Sequence, residues 1–296
     1  MKKITIILAA IVLGFTASTQ KQVSGSEIIA QINKGQKVDY TNVTVTGDLD
    51  FRQIKDLEVA KEESDWLGKN TTYHAHVKVP VIFNNCTFTG EVIGYYNDEV
   101  KDDLYIVRFH EDVVFKGCTF KDDFLVKYTD FPKMSDFRDT KFHGIALFKY
   151  SKFMEEAHFE NAVFDEDANF KYTKFKEKAF YTNCNFDEET LFKYSEFDEE
   201  TDFSGTLFND DVSFKYAKFS DYVNFSNVRF DDDATFKYTE FPRGVSFASA
   251  EFDGHADFKY AKMSEPLDID NVRFSESTDF KYTKVEGKSF LDYLLQ

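Results

Sequence analysis

The polar motif that recurs most often in this sequence is the triplet Phe-Lys-Tyr. It begins at Phe148 and returns every 22 residues as far as Phe280, and Val126-Lys127-Tyr128 is the same motif one period earlier. If the repeats stack, the motif builds two ladders, one of lysines (Lys127, Lys149, Lys171, Lys193, Lys215, Lys237, Lys259, Lys281) and one of tyrosines (Tyr128, Tyr150, Tyr172, Tyr194, Tyr216, Tyr238, Tyr260, Tyr282). Such a strip could bind a glycan or a partner protein, with Lys127, Lys149, Lys171, Tyr128, Tyr150 and Tyr172 as the first candidate residues. Stacking alone also explains it, because each stacked ring pair contributes about 0.5–1.5 kcal/mol.

Further candidate binding residues interrupt the regular pattern. His74 and His76 flank Ala75, and strand alternation would place both imidazoles on the outside. An H-x-H pair could hold a metal ion, but no third ligand is evident, so we predict no metal site. Trp66, Tyr95 and Tyr96 lie on two irregular segments. A lone tryptophan on a polar loop is more often a packing anchor, yet Trp66 is the best single candidate for a binding residue.

Acidic runs recur at one point of the repeat, at residues 165–167, 187–189, 209–211 and 231–233. Calcium binds clustered carboxylates, but these runs lack a ligand pattern of their own, and solvated turns that offset the lysines explain them equally well. The sequence shows no nucleophile elbow, phosphate-binding loop, zinc signature or catalytic pair. Because charged residues repeat instead of converging, we predict that the protein is not an enzyme and needs no cofactor.

Large apolar residues position these side chains, and they return at alternating intervals of five and six. One unit runs Phe192, Phe197, Phe203, Phe208 and back to Phe214. A small or β-branched residue stands two positions before each, which puts both on the same side of an extended strand. Each interval is therefore one short side with its large and small residues facing inward. Four sides make one coil, and the 22-residue period predicts a stacked solenoid.

This pattern resembles the pentapeptide-repeat family, whose unit has a small residue two positions before a central Leu or Phe. The triplets Ala-Asn-Phe, Thr-Asp-Phe and Ala-Asp-Phe at Ala168, Thr201 and Ala256 fit that unit, and the resemblance covers residues from about 38 to 296. The chain departs from a strict five-residue rule by adding one residue at alternate corners. The resemblance implies an all-β fold, a right-handed quadrilateral β-helix, here with a short N-terminal capping helix.

The N-terminal residues predict export. Two lysines, an apolar run and small residues fill positions 1–20, the pattern of a secretory signal peptide. Its removal takes the formal charge from −17 to −19, and we expect no membrane span in what remains. Because the net charge is strongly negative, many acidic residues must lie on the surface, although 18% of all residues are aromatic.

Both ends of a solenoid need caps, because open strand edges promote aggregation. Residues 21–37 predict an N-terminal capping helix, with capping-box spacing between Ser24 and Glu27 and a stop at Gly35. The solenoid then spans residues 38–290. A C-terminal cap follows at 291–296, where we expect Leu291, Leu294 and Leu295 to close the last coil.

Two insertions interrupt the first coils, at about 52–76 and 95–106. Both fall where later coils carry the Phe-Lys-Tyr triplet, so we expect them to emerge side by side at the N-terminal end of one face. The three cysteines, Cys86, Cys118 and Cys184, each stand two residues before a phenylalanine and fill small-residue slots. Cys86 could stack directly beneath Cys118, and we expect free thiols.

Two functional hypotheses remain. The first is an exported, non-catalytic scaffold in the periplasm, at the cell surface or secreted, which binds a protein or glycan or serves structurally in the envelope. The second follows from the family resemblance, since some members resemble DNA in shape and charge and inhibit DNA topoisomerases. Export and the lysine ladder weigh against that hypothesis, and the negative charge disfavours direct nucleic-acid binding. A flat face could also pair two copies into a homodimer.

Overall fold

The computed structural model describes residues 20–60 and 71–295. Most of the predicted signal peptide and the whole of Trp66 therefore lie outside the described residues. Within them, the chain winds into a four-sided solenoid in which each side is a parallel sheet of short strands. The all-β quadrilateral helix predicted from the repeat is thus confirmed, and partner residues on adjacent regular coils are 22 positions apart, as Phe142 and Phe164 are.

We number the four sides in chain order around a coil. Side 1 contains the strands Val38–Thr41, Val81–Asn84, Val113–Lys116, Ser135–Asp136, Ala157–His158, Ala179–Phe180, Thr201–Asp202, Val223–Asn224, Val245–Ser246 and Leu267–Asp268. Side 2 contains Lys21–Ser24, Val43–Thr46, Thr87–Phe88, Thr119–Phe120, Lys141–Phe142, Val163–Phe164, Asn185–Phe186, Leu207–Phe208, Arg229–Phe230 and Glu251–Phe252.

Side 3 contains Leu49–Asp50, Val92–Ile93, Phe124–Leu125, Ala146–Leu147, Ala168–Asn169, Thr190–Leu191, Val212–Ser213, Ala234–Thr235 and Ala256–Asp257. Side 4 contains Asp130–Phe131, Lys152–Phe153, Lys174–Phe175, Glu196–Phe197, Lys218–Phe219, Glu240–Phe241, Lys262–Met263, Lys284–Val285 and, antiparallel to the last of these, Lys288–Ser289.

The core consists of phenylalanine ladders. Phe148, for example, is fully buried and stacks on Phe170 with ring centroids 4.9 Å apart and an interplanar angle of 3°. The small residues fill the remaining interior, and buried hydroxyls among them bond to the coil below, as Thr173 does to the carbonyl of Phe148 at 2.8 Å. Burial of each phenylalanine side chain contributes about 1.5–3 kcal/mol to the free energy of folding. The repeated phenylalanine ladders therefore stabilise the solenoid along its whole length.

The N-terminal cap is shorter than the predicted range of 21–37. Lys21–Ser24 pairs with Val43–Thr46 as an extra strand of side 2, and the helix α1 spans only Gly25–Ile32. The capping box between Ser24 and Glu27 is present. A strand forms before the helix because the edge of side 2 offers unpaired backbone groups that residues 21–24 satisfy.

The C-terminal cap differs from the prediction in the residues that close the last coil. Leu291, Leu294 and Leu295 are 66%, 49% and 78% exposed, so the expectation that they close it is wrong. Phe290, the first residue of helix α2 (Phe290–Leu294), closes it by stacking on Phe280 at 4.1 Å. One aromatic ring continues the phenylalanine ladder, which a leucine cannot do as closely.

The two insertions lie side by side, as expected. Their strands form a separate four-stranded sheet, which we call the excursion sheet, in the order Tyr95–Asp98, Asp103–Phe109, Thr71–Val77, Leu57–Val59. A 3₁₀ turn, Phe51–Gln53, leads into it from side 3.

The cysteines are free and buried, and Cys86 lies on the coil next to Cys118, since the following residues pair in register. Burial raises the pKa of the Cys118 and Cys184 thiols. Neither helix in the described part of the chain has the length and apolar character that a membrane span requires.

Candidate functional site

The Phe-Lys-Tyr triplets form one corner of the solenoid, between side 3 and side 4. In each regular coil the chain turns there through a β-turn, as in the hydrogen bond from the Ser151 amide to the Phe148 carbonyl. The tyrosine at the third turn position is left-handed in all eight coils, with φ between 59° and 65°: Tyr128, Tyr150, Tyr172, Tyr194, Tyr216, Tyr238, Tyr260 and Tyr282. This conformation costs an L-residue other than glycine about 1–2 kcal/mol.

The corner diagonally opposite makes the same turn with different residues. Between side 1 and side 2 the left-handed position holds Asn, Asp, Gly or Ser: Asn42, Asn85, Gly117, Asp139, Asn161, Asn183, Gly205, Asn227, Ser249 and Asn271. These are residues that adopt positive φ readily. Tyrosine is therefore not required by the turn itself, and its use in eight successive coils needs another cause.

Stacking between coils is one such cause. The tyrosine rings from Tyr128 to Tyr282 stack nearly parallel at centroid distances of 4.7–4.9 Å. Each inner ring has its two faces covered by its neighbours, so the strip presents ring edges and hydroxyl groups to solvent. The end ring, Tyr282, is the most exposed, at 57%. A sugar ring could therefore not stack on the inner tyrosines, whereas hydrogen bonds to their hydroxyls are open.

Six of the eight triplet lysines lie close to these rings. The Nζ of Lys149 is 5.1 Å from the Tyr150 ring centroid, and five further lysines have their Nζ 4.8–5.6 Å from the ring centroid of the tyrosine in their own triplet (Lys127, Lys193, Lys215, Lys237, Lys281). Partial burial, followed by repulsion from Lys127 and Lys171, lowers the pKa of Lys149. We call the eight lysines and eight tyrosines of the triplets the Lys–Tyr strip.

The excursion sheet continues the strip at its N-terminal end. The Tyr95 ring lies 6.0 Å from that of Tyr128, and Lys127 bonds to the Tyr95 hydroxyl at 3.2 Å. Tyr96 lies apart from the strip, with the Arg52 guanidinium 4.0 Å above its ring. The structure thus joins Tyr95 to the ladder, separates Tyr96 from it, and does not describe Trp66.

A group of histidines lies on the outer surface of the excursion sheet. His76 Nδ1 is 2.8 Å from His110 Nε2, and His76 Nε2 is 3.0 Å from a carboxylate oxygen of Glu58. His74 Nε2 accepts a hydrogen bond from Arg108 at 3.3 Å. Burial lowers the pKa of His74, helped by Arg108, and likewise that of His110, helped by His76. The alternation that the sequence predicted is present, since Ala75 and Val77 are buried whereas His74 and His76 are only partly buried.

The acidic runs line the corner between side 2 and side 3. Among the described residues, two groups of three acids bring their oxygens within 4.8 Å of one another: Glu91, Asp122 and Asp123, and Asp210, Asp211 and Asp232. Burial and neighbouring acids raise the pKa of Asp211. Several of these carboxylates accept backbone amides of the next coil, as Asp233 does from His255 at 2.9 Å, which is a structural role.

Two features were missed by sequence reasoning. His110 contacts His76 through the parallel register that pairs Arg108 with His76, and its only sequence signal is that Phe109 occupies a regular core position just before it. The left-handed tyrosines had no signal in composition, because tyrosine is not a residue typical of positive φ.

Comparison with known proteins agrees with the geometry. The family model for pentapeptide repeats matches three overlapping stretches of the chain, residues 131–174, 170–218 and 214–262. No curated protein and no solved structure matches the chain at a significant level of similarity.

Proposed function

Because the chain carries pentapeptide repeats over residues 131–262, we propose that it is an exported, non-catalytic β-solenoid. In this proposal it acts as a structural or binding scaffold for a glycan or protein of the cell envelope or outside the cell. The Lys–Tyr strip is the contact surface.

The observation that carries the proposal is the contrast between the two left-handed corners. Asn, Asp, Gly and Ser serve the corner between side 1 and side 2. Tyrosine in the corresponding position of the eight coils from Tyr128 to Tyr282 accepts backbone strain and leaves hydroxyl-bearing edges at the surface. Stacking offsets part of the strain, at about 0.5–1.5 kcal/mol per pair. A binding role for the exposed edges explains why this corner keeps a strained aromatic residue.

The strip also has the dimensions of a site for a linear ligand. Eight hydroxyls at the coil spacing extend over about 34 Å, since seven steps of roughly 4.8 Å separate them. The lysine ammonium groups lie beside the tyrosine hydroxyls, and their electrostatic field is screened beyond about 8 Å at physiological ionic strength. An extended polymer with regularly spaced oxygen atoms fits this arrangement, and we favour a glycan over a protein for that reason.

A non-catalytic role follows from the uniformity of the strip. General acid–base and nucleophilic catalysis need a few groups that converge on one reacting atom. The lysines and tyrosines of the strip instead occupy equivalent backbone positions on successive coils.

Two measurements test the proposal. Cell fractionation with mass spectrometry of the mature N-terminus should find cleavage near residue 20 and the protein outside the cytoplasm. An array of neutral and anionic polysaccharides, probed with residues 21–296, should show binding that weakens when Lys149, Lys171 and Lys193 are changed to Gln. The matched control changes Lys116, Lys121 and Lys141, which lie on or directly after strands of sides 1 and 2, to Gln; it alters the net charge equally on sides that do not adjoin the strip and should leave binding intact.

DNA mimicry is the second candidate, and one observation favours it. The acidic residues of the corner between side 2 and side 3 follow one another from coil to coil, as Glu189, Asp211 and Asp233 do along one groove. A line of carboxylates on an acidic rod is a feature that mimicry of a phosphate backbone would use. An intact Met1, a cytoplasmic location and inhibition of a DNA topoisomerase would support this candidate and refute export.

A further inference from the structure

The lysines of the Lys–Tyr strip fall into two groups that differ in their nearest neighbours on side 3. Two residues before each lysine, side 3 has an outward side chain, because the residue before it on the strand faces the interior. For the first six lysines of the strip that side chain is neutral: Leu125, Leu147, Asn169, Leu191, Ser213 and Thr235. For the last two lysines it is an acid, Asp257 or Asp279. The strip therefore changes its electrostatic character between its sixth and seventh coils.

The two acids supply a counter-charge that the first six lysines lack. Lys259 Nζ is 2.9 Å from a carboxylate oxygen of Asp279 and 4.0 Å from one of Asp257, and the hydrogen bond to Asp279 raises the pKa of Lys259. Within the described part of the chain, the first six lysines form no ion pair, and we call them the unpaired lysines: Lys127, Lys149, Lys171, Lys193, Lys215 and Lys237. Partial burial and repulsion between coils instead lower the pKa of Lys149.

The surroundings keep the region of the unpaired lysines positive. Each acid on the strands of side 4, across the corner, is paired with a cation: Asp130 with Arg108, Glu196 with Lys174 and Glu240 with Lys262. The acidic corner lies at the far edge of side 3, where Asp233 accepts a backbone amide of the next coil. Because charges beyond about 8 Å are screened at physiological ionic strength, a ligand on the strip interacts with these lysines more than with the net charge of −17.

A row of evenly spaced cations is complementary to a polymer with evenly spaced anions. The coil step is 4.7–4.9 Å, as the tyrosine ring centroids show, and one sugar of an extended polysaccharide has a similar length. The unpaired lysines extend over about 24 Å, since five steps of roughly 4.8 Å separate them. Their long, flexible stems let the ammonium groups follow anions that rotate from one sugar to the next.

We propose that the six coils from Lys127 to Lys237 bind a linear polysaccharide that carries one carboxylate per sugar. This inference rests on the scaffold function proposed above and names the class of its ligand. The unpaired lysines bind the carboxylates, the tyrosine hydroxyls beside them bond to the sugar hydroxyls, and the acids Asp257 and Asp279 end the site.

The ligand class is tested by isothermal titration calorimetry of residues 21–296 with polygalacturonate, in calcium-free buffer at physiological ionic strength. Polygalacturonate has one carboxylate per sugar, and its methyl ester is a neutral polymer with the same backbone. We expect saturable binding of polygalacturonate that weakens as salt is added, and no binding of the methyl ester. Linear polyphosphate has evenly spaced anions but no hydroxyl groups along its chain for the tyrosines, and it should bind more weakly.

An exchange of amide for acid tests the need for a neutral neighbour. Asn169 Oδ1 accepts a hydrogen bond from the Lys171 amide at 3.1 Å, and an aspartate keeps this acceptor. Asn169→Asp should therefore preserve the turn but pair with strip lysines, and weaken binding about two- to fivefold, the range of one exposed ion pair. The matched control is Asn224→Asp on side 1, where Oδ1 accepts the Ser226 amide at 2.9 Å. It adds the same charge away from the strip and should bind as the wild type does.

The opposite exchange tests where the site ends. Asp257 Oδ1 accepts the Lys259 amide at 2.9 Å and Asp279 Oδ1 accepts the Lys281 amide at 2.8 Å, which an asparagine also does at position 169. The double variant Asp257→Asn, Asp279→Asn releases Lys259 and should tighten binding about two- to fivefold. A structural role for the strip alone predicts no gain in binding from these changes.

The outcomes separate this inference from the proposed function. Equal binding of polygalacturonate and its methyl ester, or unchanged affinity in both Asn169→Asp and the double variant, would overturn the carboxylate ligand and leave a scaffold for a neutral glycan. Polyphosphate that binds as tightly as polygalacturonate would overturn the polysaccharide. Failure to bind polygalacturonate overturns the inference, and failure to bind cell envelopes as well overturns the proposed function. Urea midpoints equal to that of the wild type verify that the variants are folded.

Discussion

Replacing Tyr181 with phenylalanine should stabilise the protein. Tyr181 is the tyrosine in a core ladder of phenylalanines, fully buried between Phe159 and Phe203, with both ring centroids 4.9 Å away. Its hydroxyl has no hydrogen-bond partner among the described residues. Burial raises the pKa of this phenol well above its usual value, so the group is neutral but still desolvated.

The magnitude follows from that missing partner. An unsatisfied buried polar group costs about 1–3 kcal/mol, and Tyr181→Phe removes it without leaving a cavity, because phenylalanine fills the same slot on the coils above and below. The free energy of unfolding should therefore rise by about 1–3 kcal/mol. Urea denaturation followed by circular dichroism measures it, and an unchanged slope shows that the same unit unfolds.

The reverse change is the control. Phe203→Tyr introduces a hydroxyl into the next coil of the same ladder and should cost a similar free energy. If Tyr181→Phe is neutral or destabilising, the hydroxyl has a partner such as an interior water, and the conclusion that the stack is dry at this coil is refuted.

Three further perturbations test other parts of the stack. Tyr194→Ala removes two stacked pairs and should cost about 1–3 kcal/mol, whereas Tyr194→Phe should be neutral; urea midpoints that fall equally would contradict a stacking role. Thr173→Val removes the hydrogen bond to the Phe148 carbonyl and should cost about 0.5–1.5 kcal/mol in the same assay, with the exposed Thr41→Val as its control. The Glu160 carboxylate, bonded at 3.0 Å, raises the pKa of His158, so its stabilisation is complete below the unfolded pKa of about 6.5 and is lost as pH rises through the folded pKa. His158→Gln should remove that pH dependence from urea midpoints measured between pH 5.5 and 8, and an unchanged profile would show that other groups cause it.

The repeated parts of the fold could be predicted because one coil's spacing holds for all of them. Phe192 and Thr201 face inward, as their positions in the five- and six-residue steps indicate. The ends could not be predicted as well, since they follow no period. Leu291 is apolar but exposed, and ring stacking by Phe290 closes the last coil instead.

The candidate site could be predicted only in part, for a related reason. The alignment of the tyrosines follows from the 22-residue period. Their left-handed backbone conformation does not, because it depends on the geometry of the turn, which the spacing does not specify. His76 was recognised as an outward residue, whereas its contact with His110 depends on the register between two insertions. Sequence spacing carries no information on that register.

The measurement that tests the central claim most directly is the binding of residues 21–296 to envelopes of the producing cell, compared with the triple variant Tyr150→Phe, Tyr172→Phe, Tyr194→Phe. These changes keep the stacked rings and remove three surface hydroxyls. Three hydrogen bonds at about 0.5–1.5 kcal/mol each predict saturable binding that is at least tenfold weaker in the variant, with an unchanged urea midpoint. Equal binding by the two proteins would contradict the proposed role of the strip.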